Sequence, residues 1–246
     1  MSERLSKIGL ALIRVIVAIV EIIAAGLEAV TSTIAGTLAI LRVYLHRGYD
    51  YKRWLKRDLA DCETILELGC GEHSPLLEIG YGYKTDAVDI YQPYISRHNT
   101  INDYHSSRVD NILDMGFPAK SYDAVVMLDV LEHLPRNKVY ERKLFEQLES
   151  CARKRIIIFS PNGWRVNGEH DENLFQSHVS AWSPLDFQSM GFTVHGATSF
   201  IGLLGNHSEP KLHPYAVFLI LAMLSQPYVY NHPYQAFHSY AVKEIK

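Results

Sequence analysis

The chain has 246 residues and a formal net charge of −3, with 48% hydrophobic and 21% charged residues. This composition excludes wholesale disorder and allows one α/β domain with a small appendage. The absence of an overall basic charge argues against a nucleic-acid partner. The 3 cysteines show no CxxC spacing, which argues against a disulfide framework and a structural zinc site.

The first 45 residues form a strongly apolar segment that is separate in character from the rest. Residues 8–45 contain no proline and are long enough to cross a bilayer once or to form two shorter helices. We therefore predict a helical extension over residues 1–45 that associates with a membrane, as a span or as a surface helix. A helix buried against its own domain or a second subunit is the alternative, and it leaves the oligomeric state open. Four charged residues lie seven positions apart on one helical stripe, namely Lys7, Arg14, Glu21 and Glu28, and Arg42 follows two intervals later.

A basic cluster follows this segment, with six Lys or Arg residues between positions 42 and 57. Basic residues beside an apolar helix favour the cytoplasmic side and attract anionic lipid head groups. We therefore predict that the remaining domain, residues 46–246, lies on the cytoplasmic side of a membrane. The same residues also fit an amphipathic helix whose buried side is apolar: Tyr51, Trp54, Leu55 and Leu59.

From about residue 62, short apolar runs alternate with helical stretches. This alternation predicts a Rossmann-like, doubly wound, seven-stranded and mostly parallel sheet with helices on both faces. Helices are predicted over residues 75–80, 93–99, 138–151 and 184–190. The predicted strands are ETILELG, TDAVDIY, RVDNILD, YDAVVMLDV, KRIIIFSP, GFTVHGA and HSYAVKEI.

The first strand ends in LELGCGEHSP, a glycine-rich turn. Gly69 and Gly71 allow a tight turn and a close approach of the backbone to a ligand. Asp89 ends the second strand twenty residues after Gly69, where a carboxylate can accept both hydroxyl groups of a ribose. The pattern predicts an adenosine-like ligand. A dinucleotide site prefers a small third residue, and Ser74 followed by Pro75 stands there, so two ligand classes stay open at this point.

The segments ILELGCGEHSP, AVDIY and FPAKSYDAVVMLDVLEHLP resemble a class I S-adenosylmethionine-dependent methyltransferase of the type 11-like kind. The resemblance covers residues 60–200, and His73 stands where the family often has a third loop glycine. It implies S-adenosylmethionine as the cofactor. It further implies that Glu67, Gly69 and Gly71 lie near the methionine part of the cofactor and that Asp129 lies near its sulfonium. Asp89 would bind the ribose, and Ile90 would pack on the adenine. Asp114 would accept a hydrogen bond from the adenine amino group, with Met115 beside it.

The methyl acceptor is not identified by these motifs. A general base is needed only where the acceptor is a hydroxyl or an ammonium-type nitrogen, and His178 and His133 are the candidate catalytic residues. No metal site is predicted, because the GEHDEN cluster fits a solvated loop. The apolar run over residues 215–224 is too short to span a membrane. Together with residues 1–45 it favours a small-molecule acceptor that is lipid-linked or delivered by a membrane.

Two other functions compete with methyl transfer. An NAD(P)-dependent oxidoreductase could use a similar sheet, although it predicts Gly or Ala at position 74 and a hydride-transfer site that the sequence does not show. A non-catalytic, membrane-associated interaction module is the second alternative, because His73 alters the loop beneath the expected cofactor.

Overall fold

The computed structural model describes residues 50–166 and 173–245. The predicted helical extension over residues 1–45 and its boundary lie outside these residues, so both stay predictions. The same holds for residues 168–172 of the GEHDEN sequence. The unit that contains the described residues is His46–Lys246.

Within the described residues, seven strands form one sheet in the order β3-β2-β1-β4-β5-β7-β6. Strands β1 to β5 pair in parallel, whereas β7 runs antiparallel to both β5 and β6. The predicted Rossmann-like, mostly parallel sheet is thereby confirmed. The strands are β1 (Ile65–Leu68), β2 (Thr85–Asp89), β3 (Ser106–Val109), β4 (Tyr122–Leu128), β5 (Ala152–Pro161), β6 (Thr193–Phe200) and β7 (Ala236–Glu244).

Helices cover both faces of this sheet, which explains why all four residues of β1 are buried. On one face, Trp54 and Leu55 of the first helix pack into the core, as its amphipathic sequence predicts. The helices are α1 (Tyr51–Asp58), α2 (Pro75–Glu78), α3 (Gln92–Ile101), α4 (Arg136–Glu141), α5 (Leu144–Cys151), α6 (Pro184–Ser189) and α7 (Tyr215–Asn231).

The third strand lies earlier in the chain than the predicted run RVDNILD. Strand β3 ends at Val109, and the residues after it form a turn rather than a strand. The side-chain oxygen of Asn111 accepts the Leu113 N–H at 3.1 Å, and the Asn111 carbonyl accepts the Met115 N–H at 2.8 Å. An asparagine side chain that accepts a hydrogen bond from the backbone N–H two residues later favours a turn. The strand therefore ends before Asn111.

The single helix predicted over residues 138–151 is wrong, because the structure divides it into α4 and α5. Lys143 joins the two in the left-handed conformation, with φ 51°. Val139 and Leu144 are both fully buried. Five residues apart on one straight helix, they would point about 140° away from each other. The break at Lys143 therefore lets both side chains reach the same core.

Helix α7 is the most apolar of the described helices and packs against β6. It has 17 residues and contains Pro227. Among the described residues, no helix combines the length and the hydropathy that crossing a bilayer requires. This finding agrees with the prediction that the apolar run over residues 215–224 does not span a membrane.

Candidate active site

The glycine-rich turn after β1 holds both predicted glycines in conformations that favour glycine. Gly69 has φ 77° and Gly71 has φ 59°. A Cβ atom on Gly69 would lie 2.5 Å from Cγ2 of Val130, which is too close for any side chain. A Cβ atom on Gly71 would meet no atom within 4 Å. Gly69 is therefore required by packing, whereas Gly71 borders open space.

Asp89 lies at the carboxyl end of β2, directly beside this turn. Its Oδ2 accepts the Gly71 N–H at 2.9 Å and its Oδ1 accepts the Tyr91 N–H at 2.8 Å. The residue is only 8% exposed. Since a carboxylate oxygen can accept more than one hydrogen bond, both oxygens keep capacity for a ligand. The two backbone N–H groups fix the orientation of the carboxylate and therefore the direction in which its remaining acceptor positions point.

Glu67 is buried below the turn, with a hydrogen bond at each carboxylate oxygen. The Ser74 hydroxyl donates to Oε1, and the Tyr104 hydroxyl donates to Oε2 at 2.8 Å. Burial raises the pKa of Glu67 to about 7. Ser74 also caps α2 by accepting the Leu76 N–H at 3.0 Å. Position 74 thus links the buried acid to the helix rather than serving as a third glycine.

His98 of α3 holds the glycine turn from outside, a role that the sequence analysis missed. Its Nε2 lies 2.8 Å from the carbonyl oxygen of Gly71, and its Nδ1 lies 3.1 Å from Oδ2 of Asp103. The imidazole is buried and bridges a carbonyl and a carboxylate, two acceptors. The only sequence signal for this role is an acid five residues after a helical histidine, which is too common to use.

A cavity of about 420 Å³ opens above the turn, at the carboxyl ends of β1, β2 and β4. We call one side of the site the glycine-loop half, which consists of Glu67, Gly69, Gly71 and Asp89. Further wall residues surround it, and the sequence analysis named Ile90 among them but missed the others: Tyr51, Tyr94, Asn111 and Ile112.

The other side, which we call the histidine half, collects ionisable groups from distant parts of the chain. It consists of Asp129, Glu132, His133, His178 and His238. The first three follow β4, His178 precedes α6, and His238 lies on β7 opposite Pro161 at the carboxyl end of β5.

Asp129 connects the two halves and has an unusual backbone. Its φ is 53°, and its N–H donates to the carbonyl oxygen of Phe159 at 2.8 Å. Its side chain keeps 49% of its surface open to the cavity. The surrounding protein nevertheless desolvates the carboxylate and raises its pKa above the ordinary range of an aspartate. Oδ1 lies 3.8 Å from Nε2 of His238. Positive φ in a residue other than glycine is strained, and such strain is concentrated at functional sites.

His133 and His178 lie face to edge, with ring centroids 4.8 Å apart. Burial lowers the pKa of His133 to about 4 and also lowers the pKa of His178. Both imidazoles are therefore neutral at pH 7. Burial also lowers the pKa of His238, to about 3. The histidine half thus presents neutral imidazoles beside carboxylates whose ionised forms are disfavoured by desolvation.

The chain is similar to known proteins both in sequence family and in fold. The methyltransferase-domain family matches residues 44–190, which is more than half of the chain. This chain belongs to the methyltransferase-domain family. The resemblance to class I S-adenosylmethionine-dependent methyltransferases is thereby confirmed, and S-adenosylmethionine is the cofactor that agrees with it. No curated protein matches this methyltransferase chain in a sequence search.

Solved structures share the fold of this methyltransferase at low sequence identity. The N-terminal domain of EvdMO1, crystallised in the presence of SAH and D-fucose, aligns with TM-score 0.51 and 13% identity, over 80% of this chain and 82% of that chain. A putative sarcosine dimethylglycine methyltransferase from Galdieria sulphuraria aligns with TM-score 0.50 and 15% identity, over 79% and 84%. The PH0226 protein from Pyrococcus horikoshii OT3 gives TM-score 0.50 and 14% identity, over 85% and 91%. These likenesses show the fold alone.

The structure places most of the predicted site residues of this methyltransferase domain on the cavity wall. His178 contacts the wall through His133 rather than lining the cavity itself. Their contacts with cofactor and acceptor stay predictions. The lining residues that were predicted are Glu67, Gly69, Gly71, Asp89, Ile90, Asp129 and His133.

Asp114 and Met115 are not on the cavity wall. The Asp114 side chain is half exposed and pairs with Nη2 of Arg142 at 3.0 Å, while Met115 is buried in the core. Asn111 and Ile112 occupy the wall at this point. The turn that begins at Asn111 carries Leu113, Asp114 and Met115 away from the cavity. The structure therefore assigns this wall to residues three positions earlier than the sequence did.

Proposed function

We propose that this chain transfers the methyl group of S-adenosylmethionine to a small-molecule acceptor, which it meets at a membrane surface. One observation carries the cofactor part of the proposal. The Asp89 carboxylate stands at the carboxyl end of β2, held by two backbone N–H groups, on the wall of a cavity beside a two-glycine turn. This arrangement suits a ribose with two hydroxyl groups.

The residues present fit this cofactor in size and chemistry. The cavity of about 420 Å³ falls within the range of about 300–1,000 Å³ that is usual for small-molecule sites. Gly71 leaves its backbone open to close approach. Ile90 and Ile112 supply apolar wall beside Asp89, where a nucleobase requires it. When bound, S-adenosylmethionine supplies a methyl group on a sulfonium, which a nucleophile displaces in line.

The chain's own contribution to such a reaction is to position groups and to receive a proton. Positioning can supply much of the acceleration, because the leaving group is already activated. Asp129 opens into the cavity, and its raised pKa suits it to accept a proton from a bound acceptor. His133 and His178, the predicted general bases, are neutral at pH 7, and their assignment as bases stays a prediction.

The oxidoreductase alternative is weakened by the surroundings of Ser74. A dinucleotide pyrophosphate is held by free N–H groups at a helix N-terminus. Here the Leu76 N–H already donates to the Ser74 hydroxyl, and α2 has only four residues. The first turn of this helix is thus engaged by its own cap rather than left for an anion.

Calorimetric titration of the full chain separates the three functions. We expect S-adenosylmethionine to bind and NAD⁺ and NADP⁺ to give no heat of binding. If NAD⁺ or NADP⁺ binds and S-adenosylmethionine does not, hydride transfer becomes the better proposal and methyl transfer is refuted. Heat from none of the three ligands would favour the interaction module.

Helix α7 supports the membrane part of the proposal. Four of its apolar side chains are exposed at positions spaced by three or four residues, which places them on one helical stripe. Such a stripe suits contact with an apolar surface. Its members are Val217, Leu221, Leu224 and Tyr228.

Helix α1 places basic residues near the end of this stripe. The Trp54 ring of α1 lies 4.9 Å from the ring of Tyr230 in α7. Lys56 and Arg57 extend from the solvent side of α1. An apolar stripe beside basic side chains fits the boundary between the acyl chains and the anionic head groups of a membrane. This pairing favours a lipid-linked or membrane-delivered acceptor on the cytoplasmic side, where basic residues are enriched.

Flotation with vesicles that contain anionic lipid tests this part in two steps. We expect the full chain to float and a chain without residues 1–45 to float less. In the shorter chain, replacing Leu221 and Leu224 by Gln should reduce flotation further, whereas Leu185→Gln, at an exposed position of α6, should not. Equal flotation with and without residues 1–45 would refute the N-terminal anchor. Equal flotation of the α7 variant would refute docking through α7.

A further inference from the structure

Three potential metal ligands meet in the histidine half of the site. Glu132 and His133 follow β4, whereas His178 reaches them from the segment before α6. One ligand atom of each residue lies within 4.8 Å of the other two. Glutamate and histidine at adjacent positions, joined by a second histidine 45 residues later, form a cluster that no local motif defines. The sequence analysis accordingly predicted no metal here.

Backbone carbonyl groups fix both imidazoles in the form that a metal requires. Nδ1 of His133 lies 3.2 Å from the carbonyl oxygen of Ser177, and Nδ1 of His178 lies 3.0 Å from the carbonyl oxygen of Arg165. A carbonyl oxygen only accepts, so each Nδ1 carries the hydrogen and donates it. Each Nε2 therefore keeps its lone pair. A histidine whose other nitrogen donates to a carbonyl is the usual arrangement of a metal ligand.

Glu132 has an unused carboxylate oxygen in the same place. The residue is only 3% exposed. Its Oε2 accepts a hydrogen bond from the Ser160 hydroxyl at 3.2 Å, while Oε1 is buried and has no hydrogen-bond partner in the described part of the chain. Buried polar atoms without a partner are rare in folded proteins, and a bound ion is one of the groups that can satisfy them. Its counterpart Glu67, in the glycine-loop half, has a partner at both oxygens.

We infer that Glu132, His133 and His178 bind a divalent transition-metal ion of the zinc or manganese class. Two imidazoles and one carboxylate form a three-ligand set that leaves coordination positions open. Metal–ligand bonds of about 2.1 Å place tetrahedral ligand atoms roughly 3.4 Å apart, so the widest separation in the cluster needs to contract by up to about 1.4 Å. Magnesium fits less well, since it prefers oxygen ligands in an octahedron.

The position of the cluster connects it with the proposed methyl transfer. His133 and Asp129 both line the cavity, so an ion held by His133 would lie beside the space in which an acceptor would bind. A metal ion there would hold an acceptor through oxygen and lower the pKa of its hydroxyl group. The hydroxyl proton passes to Asp129, the oxygen–methyl bond forms as the sulfur–methyl bond breaks, and the electron pair of that bond stays on sulfur. This extension rests on the proposed function and names a hydroxyl-bearing acceptor.

Metal titration of the full chain tests the site without any acceptor. The protein is treated with a chelator, freed of it by dialysis, and titrated calorimetrically with ZnCl₂ and with MnCl₂. We expect one ion to bind per chain. Glu132→Gln and His178→Ala should each weaken this binding by more than about tenfold. His105→Ala is the matched control, because His105 is 69% exposed and pairs with Asp86 far from the cluster; it should leave metal affinity unchanged.

The outcomes separate the metal inference from the proposed function. The inference is overturned when neither ion binds, or when Glu132→Gln and His178→Ala bind as tightly as the unchanged chain. Thermal unfolding of each variant shows whether it is folded, and Glu132→Gln preserves side-chain volume where His178→Ala does not. S-adenosylmethionine titrated into the same proteins should bind within about twofold of the unchanged chain. If the unchanged chain binds S-adenosylmethionine but neither metal ion, only the metal inference is removed. If the unchanged chain does not bind S-adenosylmethionine, the proposed methyl transfer is removed.

Discussion

The two halves of the site differ in how they pair their buried acids. In the glycine-loop half, Glu67 and Asp89 have hydrogen-bond partners at both carboxylate oxygens. In the histidine half, Glu132 has one oxygen without a partner among the described residues. Both halves contain desolvated acids, so burial alone does not distinguish them. The difference lies in which polar atoms the protein leaves for another molecule.

The glycine-loop half is organised before any ligand arrives, whereas the histidine half has a buried acceptor that the protein itself does not pair. Backbone N–H groups orient Asp89, and a buried imidazole orients the carbonyl oxygen of Gly71. Such fixed donors and acceptors limit the cost of ordering on binding. In the histidine half, Oε1 of Glu132 is buried without a partner among the described residues, and such an atom is costly to leave unpaired.

The largest expected effect tests how rigidly the glycine turn is packed. Gly69→Ala should lower the free energy of unfolding by about 2–5 kcal/mol, because left-handed backbone costs about 1–2 kcal/mol and a Cβ 2.5 Å from Val130 adds about 1–3 kcal/mol. Gly71→Ala should cost only the backbone part, since open space surrounds its Cβ position. Urea unfolding of both variants measures the difference, and equal losses would contradict the packing argument.

The pH dependence of stability tests the buried acid of the glycine-loop half. Because burial raises the pKa of Glu67 to about 7, the folded chain binds more protons than the unfolded chain between about pH 4.5 and pH 7. The contribution of Glu67 to stability is thus full below this interval and is lost as the pH rises through it. Between pH 5 and pH 8, the free energy of unfolding should therefore decrease by about 3 kcal/mol less in Glu67→Gln than in the unchanged chain.

Urea unfolding at several pH values measures this slope. Glu63→Gln serves as the control, because the Glu63 side chain is 77% exposed and pairs with Lys84 at the surface. It should leave the slope unchanged. A Glu67→Gln chain with the slope of the unchanged protein would show that the acid is not desolvated.

Asp89→Ala tests whether the glycine-loop half holds the cofactor. Loss of charge-assisted hydrogen bonds of about 1.5–3 kcal/mol should weaken S-adenosylmethionine binding by more than about tenfold in calorimetric titration. Asp86→Ala is the control. Asp86 lies on the same strand but binds Ser106 and Tyr122 away from the cavity, so this variant should leave cofactor affinity unchanged. Unchanged affinity in a folded Asp89→Ala chain would contradict the placement of the ribose.

The smallest effect concerns the edge of this half. Asn111→Ala should weaken S-adenosylmethionine binding by about twofold to tenfold, because it removes a wall residue and the turn that positions Ile112. Asp114→Ala removes an exposed pair with Arg142 and a hydrogen bond from the Asn111 side-chain amide, but it leaves the Asn111 turn and the cavity wall in place. It should change affinity by less than Asn111→Ala does. Calorimetry on both variants decides which residue borders the cofactor. A larger effect of Asp114→Ala would restore the assignment made from sequence.

Sequence alone predicted the elements whose signals are local. The alternation of apolar runs and helices predicted the sheet, since a strand and its covering helix each leave their own periodicity. The two glycines and Asp89 were found because a parallel sheet brings the carboxyl ends of adjacent strands to one edge. Trp54 and Leu55 were placed in the core by helical spacing. Each of these inferences depends on residues that are close in the chain or on a rule of sheet geometry.

Only the tertiary structure decided the wall residues and the histidine half. The turn at Asn111 moved Asp114 to the surface, and a left-handed lysine divided the helix predicted over residues 138–151. His133 and His178 had been selected separately as bases, and nothing in the sequence showed that they meet beside Glu132. Contacts between segments more than 40 residues apart depend on how whole elements pack. The physical reason is that no local periodicity records which side chains are left without a partner once packing is complete.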